Sequence, residues 1–189
     1  MRIRIESSPI EGTAVIVPEV FEDDRGFFFE SYRVDQFREL GLPTEFVQDN
    51  HSRSAKGVVR GLHFQWEPPM GKLMRVTFGS AFLVAVDIRK GSPTLGKWFG
   101  VEVSAANKKQ VWAPAGFARG FCTLSEFAEV QYKCTGLYSN KAESGVLWND
   151  PEIGVEWPIA SPILSAKDAK AQTLAEWLAR PESEQFRYR

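Results

Sequence analysis

The chain has 189 residues, 43% of them hydrophobic, enough to bury a sizeable core within one domain spanning 1–189. Lysine and arginine total 23 against 24 acidic residues, so no overall field gathers nucleic acid or coats an anionic membrane, and any anion site must be local. Apolar runs are too short for a membrane helix or a signal-peptide core, which leads us to expect a cytoplasmic protein; Cys122 and Cys134 lack metal-ligand or redox spacing and are expected to be reduced core residues.

The N-terminus, Met1 to Ile5, alternates polar and apolar residues. Beyond it, Gly, Pro, Asn or Ser-Pro punctuate the chain roughly every eight to twelve residues, the rhythm of an antiparallel sandwich or barrel. Strands are predicted at Ala14 to Val17, Phe27 to Tyr32, Phe46 to Gln48, Gly57 to Phe64, Leu73 to Phe78, Ala81 to Arg89, Trp98 to Val103, Gln110 to Trp112 and Glu126 to Leu137. Short helices are predicted at Val34 to Leu40, ending at Gly41, and at Ser165 to Ala179, where Leu174, Trp177 and Leu178 recur at helical spacing. Nine strands with short turns suit an all-β jelly roll with both helices outside the barrel. There is no repeat or long linker, and the polar tail after Pro181 is expected to be loosely held.

Only two histidines exist, His51 and His63, and no thiolate pair supplements them. A divalent ion needs three or four convergent ligands, so no metal is expected and the chemistry must come from side-chain acids and bases. The densest cluster is Arg60-Gly61-Leu62-His63-Phe64-Gln65 followed by Gly71-Lys72. Strict alternation puts Arg60 and His63 on opposite faces, so their cooperation requires a bulge or bend at Gly61. Lys72 shares parity with Met74, Val76 and Phe78, which directs it inward, and Tyr132 shares parity with Ala128, Val130 and Cys134. The residues alone leave a bland reading open: Arg60 and Lys72 as rim charges, His63 as a bonded core histidine, Tyr132 as a structural hydroxyl. Asp168 in Ser165-Ala166-Lys167-Asp168 reads either as an acid in the first turn of a helix capped by Ser165, or as a hydrogen-bond partner that orients His63. The Phe21 to Tyr32 stretch crowds aromatics against Arg25 and Glu30, suiting either a nucleobase or a dimer contact. Gln48-Asp49-Asn50-His51-Ser52 suits a sugar or a bonded turn.

In order and at matching intervals, seven strings resemble the dTDP-4-dehydrorhamnose 3,5-epimerase family. They are Asp24-Arg25-Gly26-Phe27-Phe28-Phe29-Glu30, Phe46-Val47-Gln48-Asp49-Asn50-His51-Ser52, the Arg60 to Gln65 cluster, Gly71-Lys72, Val84-Ala85-Val86-Asp87-Ile88-Arg89, Leu147-Trp148-Asn149-Asp150 and Leu164-Ser165-Ala166-Lys167-Asp168. The resemblance implies a cupin jelly-roll homodimer, without metal or cofactor, that converts dTDP-4-keto-6-deoxyglucose to dTDP-4-keto-rhamnose. Carried over, His63 is the base, Asp168 its partner, Lys72 the group that stabilises the ketone oxygen, and Tyr132 the acid on the opposite face. Arg60 holds the diphosphate; Gln48, Asn50 and Tyr138 contact substrate; Arg25, Phe27 and Glu30 reach the neighbouring subunit's site. Two positions depart from the family pattern. Arg119 replaces the histidine of a Gly-Phe-Ala-His-Gly-Phe string and is expected to bind phosphate, and Leu83 stands where many relatives carry an acid, which leaves open whether one or both of C3 and C5 are inverted. A non-catalytic sugar-nucleotide-binding cupin and a metal-dependent cupin enzyme are the competing readings.

Overall fold

The computed structural model describes residues 2–188. Its strands, in chain order, are β1 (Ile3–Ser7), β2 (Ala14–Pro18), β3 (Phe21–Asp23), β4 (Gly26–Phe28), β5 (Gln48–Ala55), β6 (Val59–Gln65) and β7 (Lys72–Phe78). They continue with β8 (Ser80–Asp87), β9 (Trp98–Ser104), β10 (Gln110–Ala113), β11 (Phe117–Thr123), β12 (Phe127–Cys134) and β13 (Glu143–Gly145). Two short helices, α1 (Val34–Glu39) and α2 (Leu174–Ala179), accompany 3-10 turns at Asp168–Lys170 and Pro181–Phe186.

A six-stranded sheet in the order β1-β2-β10-β7-β12-β5 packs on a five-stranded sheet in the order β13-β6-β11-β8-β9, while β3 and β4 form a separate hairpin. All named strand pairs are antiparallel. The side chains follow the two-residue period. On β8, Ala81, Leu83 and Ala85 point into the barrel to join Met74, Val76, Phe121, Ala128 and Val130, while Val84 and Val86 point outward onto Leu62, Phe64, Trp177 and Phe186. Each valine, leucine, methionine or phenylalanine among them taken fully out of water contributes roughly 1.5–3 kcal/mol, and each alanine less.

The outward core is closed by α2, whose start is fixed by a capping box: Thr173 accepts from the Glu176 N–H, and the Glu176 carboxylate accepts from the Thr173 N–H. Trp177 then lies fully buried with its ring 4.5 Å from Phe64 and 5.7 Å from Trp66. This packing stiffens β6 from behind, at the strand that carries His63.

Several expectations are corrected. The segment read as one helix from Ser165 to Ala179 is a 3-10 turn followed by the six-residue α2, although the Ser165 hydroxyl does accept the Asp168 N–H at 3.0 Å. The tail after Pro181 is anchored rather than loose: Phe186 and Ser183 are buried, and the backbone pairs with Lys90. Phe27 to Tyr32 is not one strand, since only Gly26–Phe28 pairs, with Phe21–Asp23. The strand expected at Phe46 to Gln48 begins where that expectation ends, at Gln48, and runs to Ala55. Phe78, grouped by parity with the inward residues of β7, is 54% exposed at the strand's end.

Candidate active site

The bend that cooperation of Arg60 and His63 requires is present. On the β11–β6 pair, Arg119 lies opposite His63 but Phe121 lies opposite Arg60, so β6 carries an extra residue in that interval. Gly61, inside the interval, has φ +129°, and a Cβ there would sit 2.6 Å from Gly120 Cα. Gly61 and Gly120 together let the two strands approach and turn Arg60 toward the same hollow as His63.

That hollow is a cavity of about 220 Å³ between the sheets. The five-stranded sheet supplies Arg60, His63, Arg119 and Glu143, and the six-stranded sheet supplies Lys72 and Tyr132 from the opposite wall, with Met74, Phe121 and Val130 as apolar lining. A neighbouring hollow of about 310 Å³ shares Arg60, His63 and Glu143 and extends to Lys167 and Asp168. Hollows at the β3–β4 hairpin and beside α1 contain no histidine.

His63 and Asp168, distant in sequence, meet with Nε2 to Oδ1 at 2.5 Å, and the Asp168 side chain is only 5% exposed. With the Nε2 proton donated to the carboxylate, Nδ1 keeps its lone pair. Burial works to raise the Asp168 carboxyl, but the His63 hydrogen bond, the charge interaction with that ring, the Ser165 hydroxyl and the Gly61 N–H together hold it below the usual carboxylate range. On the facing wall, the Lys72 ammonium lies 4.7 Å from the Tyr132 ring centroid. Burial first, then the Arg119 charge, bring Lys72 down to about 8, against weaker upward pulls from Cys134 and Glu143. Burial likewise pushes the Tyr132 phenol up, keeping its proton in place at neutral pH, although a hydrogen bond with Asn50 works the other way.

At the mouth, Arg60 is exposed and donates from Nε to Ser54 Oγ at 2.9 Å. Glu143 accepts from Lys167 Nζ at 2.5 Å and from the Tyr138 hydroxyl at 3.0 Å. Burial would raise the Glu143 carboxyl, yet these two donors hold it below its ordinary range. Tyr138 is 55% exposed, and its N–H donates to Gln48 Oε1, whose amide in turn donates to Asn50 Oδ1. The predicted residues His63, Lys72, Tyr132, Asp168, Arg60 and Arg119 therefore converge, with Gln48, Asn50 and Tyr138 beside them. Arg25, Phe27 and Glu30 do not line the cavity of their own chain. The Arg25 guanidinium pairs with Asp23, Phe27 lies under Lys108, and Glu30 is 3.6 Å from Arg33. His51 is outside the site, bonded to Glu129 across β5 and β12.

Sequence reasoning missed Glu143 and Lys167. Glu143 sits on a three-residue strand too short to show alternation, and Lys167, although within the Leu164 to Asp168 string, carries no signal of its own beyond a place near a helix start. Among the described residues no three His, Cys, Asp or Glu side chains converge as a metal would need, and no helix is long and apolar enough to cross a membrane.

Comparison with known proteins identifies the family to which this fold belongs. A family model described as dTDP-4-dehydrorhamnose 3,5-epimerase matches residues 7–176. The chain is 56% identical over 172 residues to the dTDP-4-dehydrorhamnose 3,5-epimerase of Salmonella typhimurium, covering 89% of this chain and 94% of the relative. It is 40% identical over 176 residues to the dTDP-4-dehydrorhamnose 3-epimerase of Streptomyces niveus, covering 92% and 85%. The crystal structure of dTDP-6-deoxy-D-glucose-3,5-epimerase from Legionella pneumophila, in complex with dTDP-4-keto-L-rhamnose, matches with a TM-score of 0.93 at 44% identity over 100% of both chains. With its cupin-like barrel, the chain belongs to the dTDP-4-dehydrorhamnose 3,5-epimerase family of sugar-nucleotide epimerases.

Proposed function

We propose that the chain inverts C3 and C5 of dTDP-4-keto-6-deoxyglucose, giving dTDP-4-keto-L-rhamnose. The observation that carries the proposal is the His63–Asp168 pair on one wall of the cavity facing Lys72 and Tyr132 on the other. Both carbons flank the C4 ketone, so one carbonyl acidifies both hydrogens and one site serves two centres.

In each inversion, His63 Nδ1 takes the hydrogen as a proton and the C–H electron pair moves onto the C4 oxygen as an enolate. The Lys72 ammonium offsets that charge. Tyr132 then delivers its hydroxyl proton to the carbon from the opposite face, the enolate collapses to the ketone, and solvent restores the phenol and clears the imidazolium. Proton loss equals proton gain, and the product is an isomer. Asp168 keeps the ring oriented and steadies its protonated form. Arg60 and Lys167, at the open end, suit the diphosphate, with Gln48, Asn50 and Tyr138 alongside. The hairpin residues Arg25 and Phe27, and Glu30 beyond it, serve the site of a second copy in a homodimer.

Incubation with the 4-keto sugar nucleotide in deuterated water tests the reaction. Deuterium at both C3 and C5 of the product supports it; label at C3 alone makes the chain a single-centre enzyme like the Streptomyces niveus relative, and no label in any recovered sugar refutes epimerisation.

A further inference from the structure

Arg119 is unusual among the cavity residues. The residue is 3% exposed, and its Nη1 is clamped by three main-chain oxygens, those of Met70 at 2.8 Å, Ala113 at 3.2 Å and Pro114 at 3.3 Å. Its Nε and Nη2 are buried and have no hydrogen-bond partner among the described residues. A fixed cation with two idle donor nitrogens, held at depth, is built for an acceptor that arrives from outside. Its position says which one. Ala113, which accepts from Arg119, is the register partner of Lys72, so the guanidinium sits at the lysine end of a cavity whose lining includes Met74, Phe121 and Val130. Arg60 and Lys167 occupy the exposed end. An apolar surround suits a deoxyhexose ring rather than a diphosphate.

Resting on the epimerase reading above, we infer that Arg119 grips the C4 oxygen of the keto sugar together with Lys72, forming a two-cation seat for the enolate, and that it does not bind the diphosphate as the sequence alone suggests. The two cations are not equivalent. The groups facing Lys72 are Arg119 on β11, Tyr132 and Cys134 on β12, Glu143 on β13, and Arg60 and His63 on β6. Lys72 loses its charge as pH rises through about 8, whereas Arg119, brought by burial only to about 10, stays charged there. The wild-type rate should then step down near pH 8 to a plateau carried by Arg119.

The test pairs R119Q with R119K and measures steady-state turnover and dTDP affinity from pH 6 to 9.5. For R119Q the expected result is a kcat loss of about 100- to 1,000-fold, the range for removing one oxyanion donor, with dTDP affinity within about threefold of wild type. The alkaline step should also move to higher pH, because Lys72 has lost a like charge, and it should fall to near zero. R119K, which keeps a charge but not the fork, should lose less. Retained dTDP binding shows that each variant is folded; should R119Q fail to fold, R119K with wild-type kcat overturns the inference on its own. A tenfold weaker dTDP affinity with kcat intact would return Arg119 to the diphosphate, and an unshifted alkaline step would also overturn the inference. If the wild type itself exchanges no sugar hydrogen with solvent, the epimerase reading fails; if it exchanges and R119Q matches it, only the role of Arg119 fails.

Discussion

Replacing Asp168 by asparagine changes the site by one charge and almost no volume. The carboxylate is buried, and it receives His63 Nε2 at 2.5 Å while also interacting with the Ser165 hydroxyl and the Gly61 N–H. A hydrogen bond to a charged group contributes about 1.5–3 kcal/mol, and at 1.36 kcal/mol per tenfold the loss corresponds to a roughly 10- to 150-fold fall in kcat. The effect should fall on kcat rather than on KM, because the partner acts when the imidazole becomes charged. The assay is proton NMR of the keto sugar in deuterated water, following C3 and C5 separately. Both exchange rates should drop by the same factor, since one base serves both centres. A drop at one carbon only, or none, would refute the dyad. The linkage sign also follows: the folded Asp168 value lies below its ordinary one, so its contribution to stability is full above the ordinary carboxylate range and is lost as pH falls through the lowered value. D168N should flatten that acid-side loss in a melting-temperature series.

Tyr132→Phe should cut product formation about 100- to 10,000-fold, the usual worth of a positioned proton donor. Recovered substrate should still gain deuterium without inversion, and inversion at the wild-type rate would exclude the phenol. Lys72→Met should lower kcat and erase the alkaline step near pH 8, because the active form is the ammonium; a step that persists would belong to another group. Gly61→Ala places a methyl 2.6 Å from Gly120 Cα at a φ of +129°, and should destabilise by at least about 2 kcal/mol, roughly 4–8 °C by calorimetry. An unchanged melting temperature would mean that β6 can relax without its bend. Dialysis against a chelator should leave turnover unchanged, and lost activity restored by a divalent ion would contradict proton chemistry carried by side chains alone.

The barrel was legible where strands are half-buried and alternate, as on β7 and β12, and parity correctly turned Lys72 and Tyr132 inward. The conflict between Arg60 and His63 even located the bend, because only Gly61 in that string adopts such a backbone freely. β11 escaped notice since it is buried on both faces, so its pattern carries no period, and Gly120 and Arg119 interrupt its apolar run. β1 and β13 are short edge strands, defined by pairing rather than by composition. The tail was misread because its one buried aromatic, Phe186, is set among charges that pair with Lys90 and with each other. Asp168 meets His63 through packing that no local spacing encodes; the residues left the pairing as one of two readings of Asp168, and the family resemblance favoured it. The destination of Arg119 depends on three carbonyls from the β10–β11 turn and the loop before β7, a clamp that sequence does not announce.

The most direct trial of His63 as the single base is its replacement by alanine, with exchange at both carbons followed in deuterated water and dTDP affinity measured on the same sample. Loss of deuterium uptake at C3 and C5 together, with nucleotide binding retained, is the predicted result. Uptake surviving at either carbon would require a second base and would contradict the account.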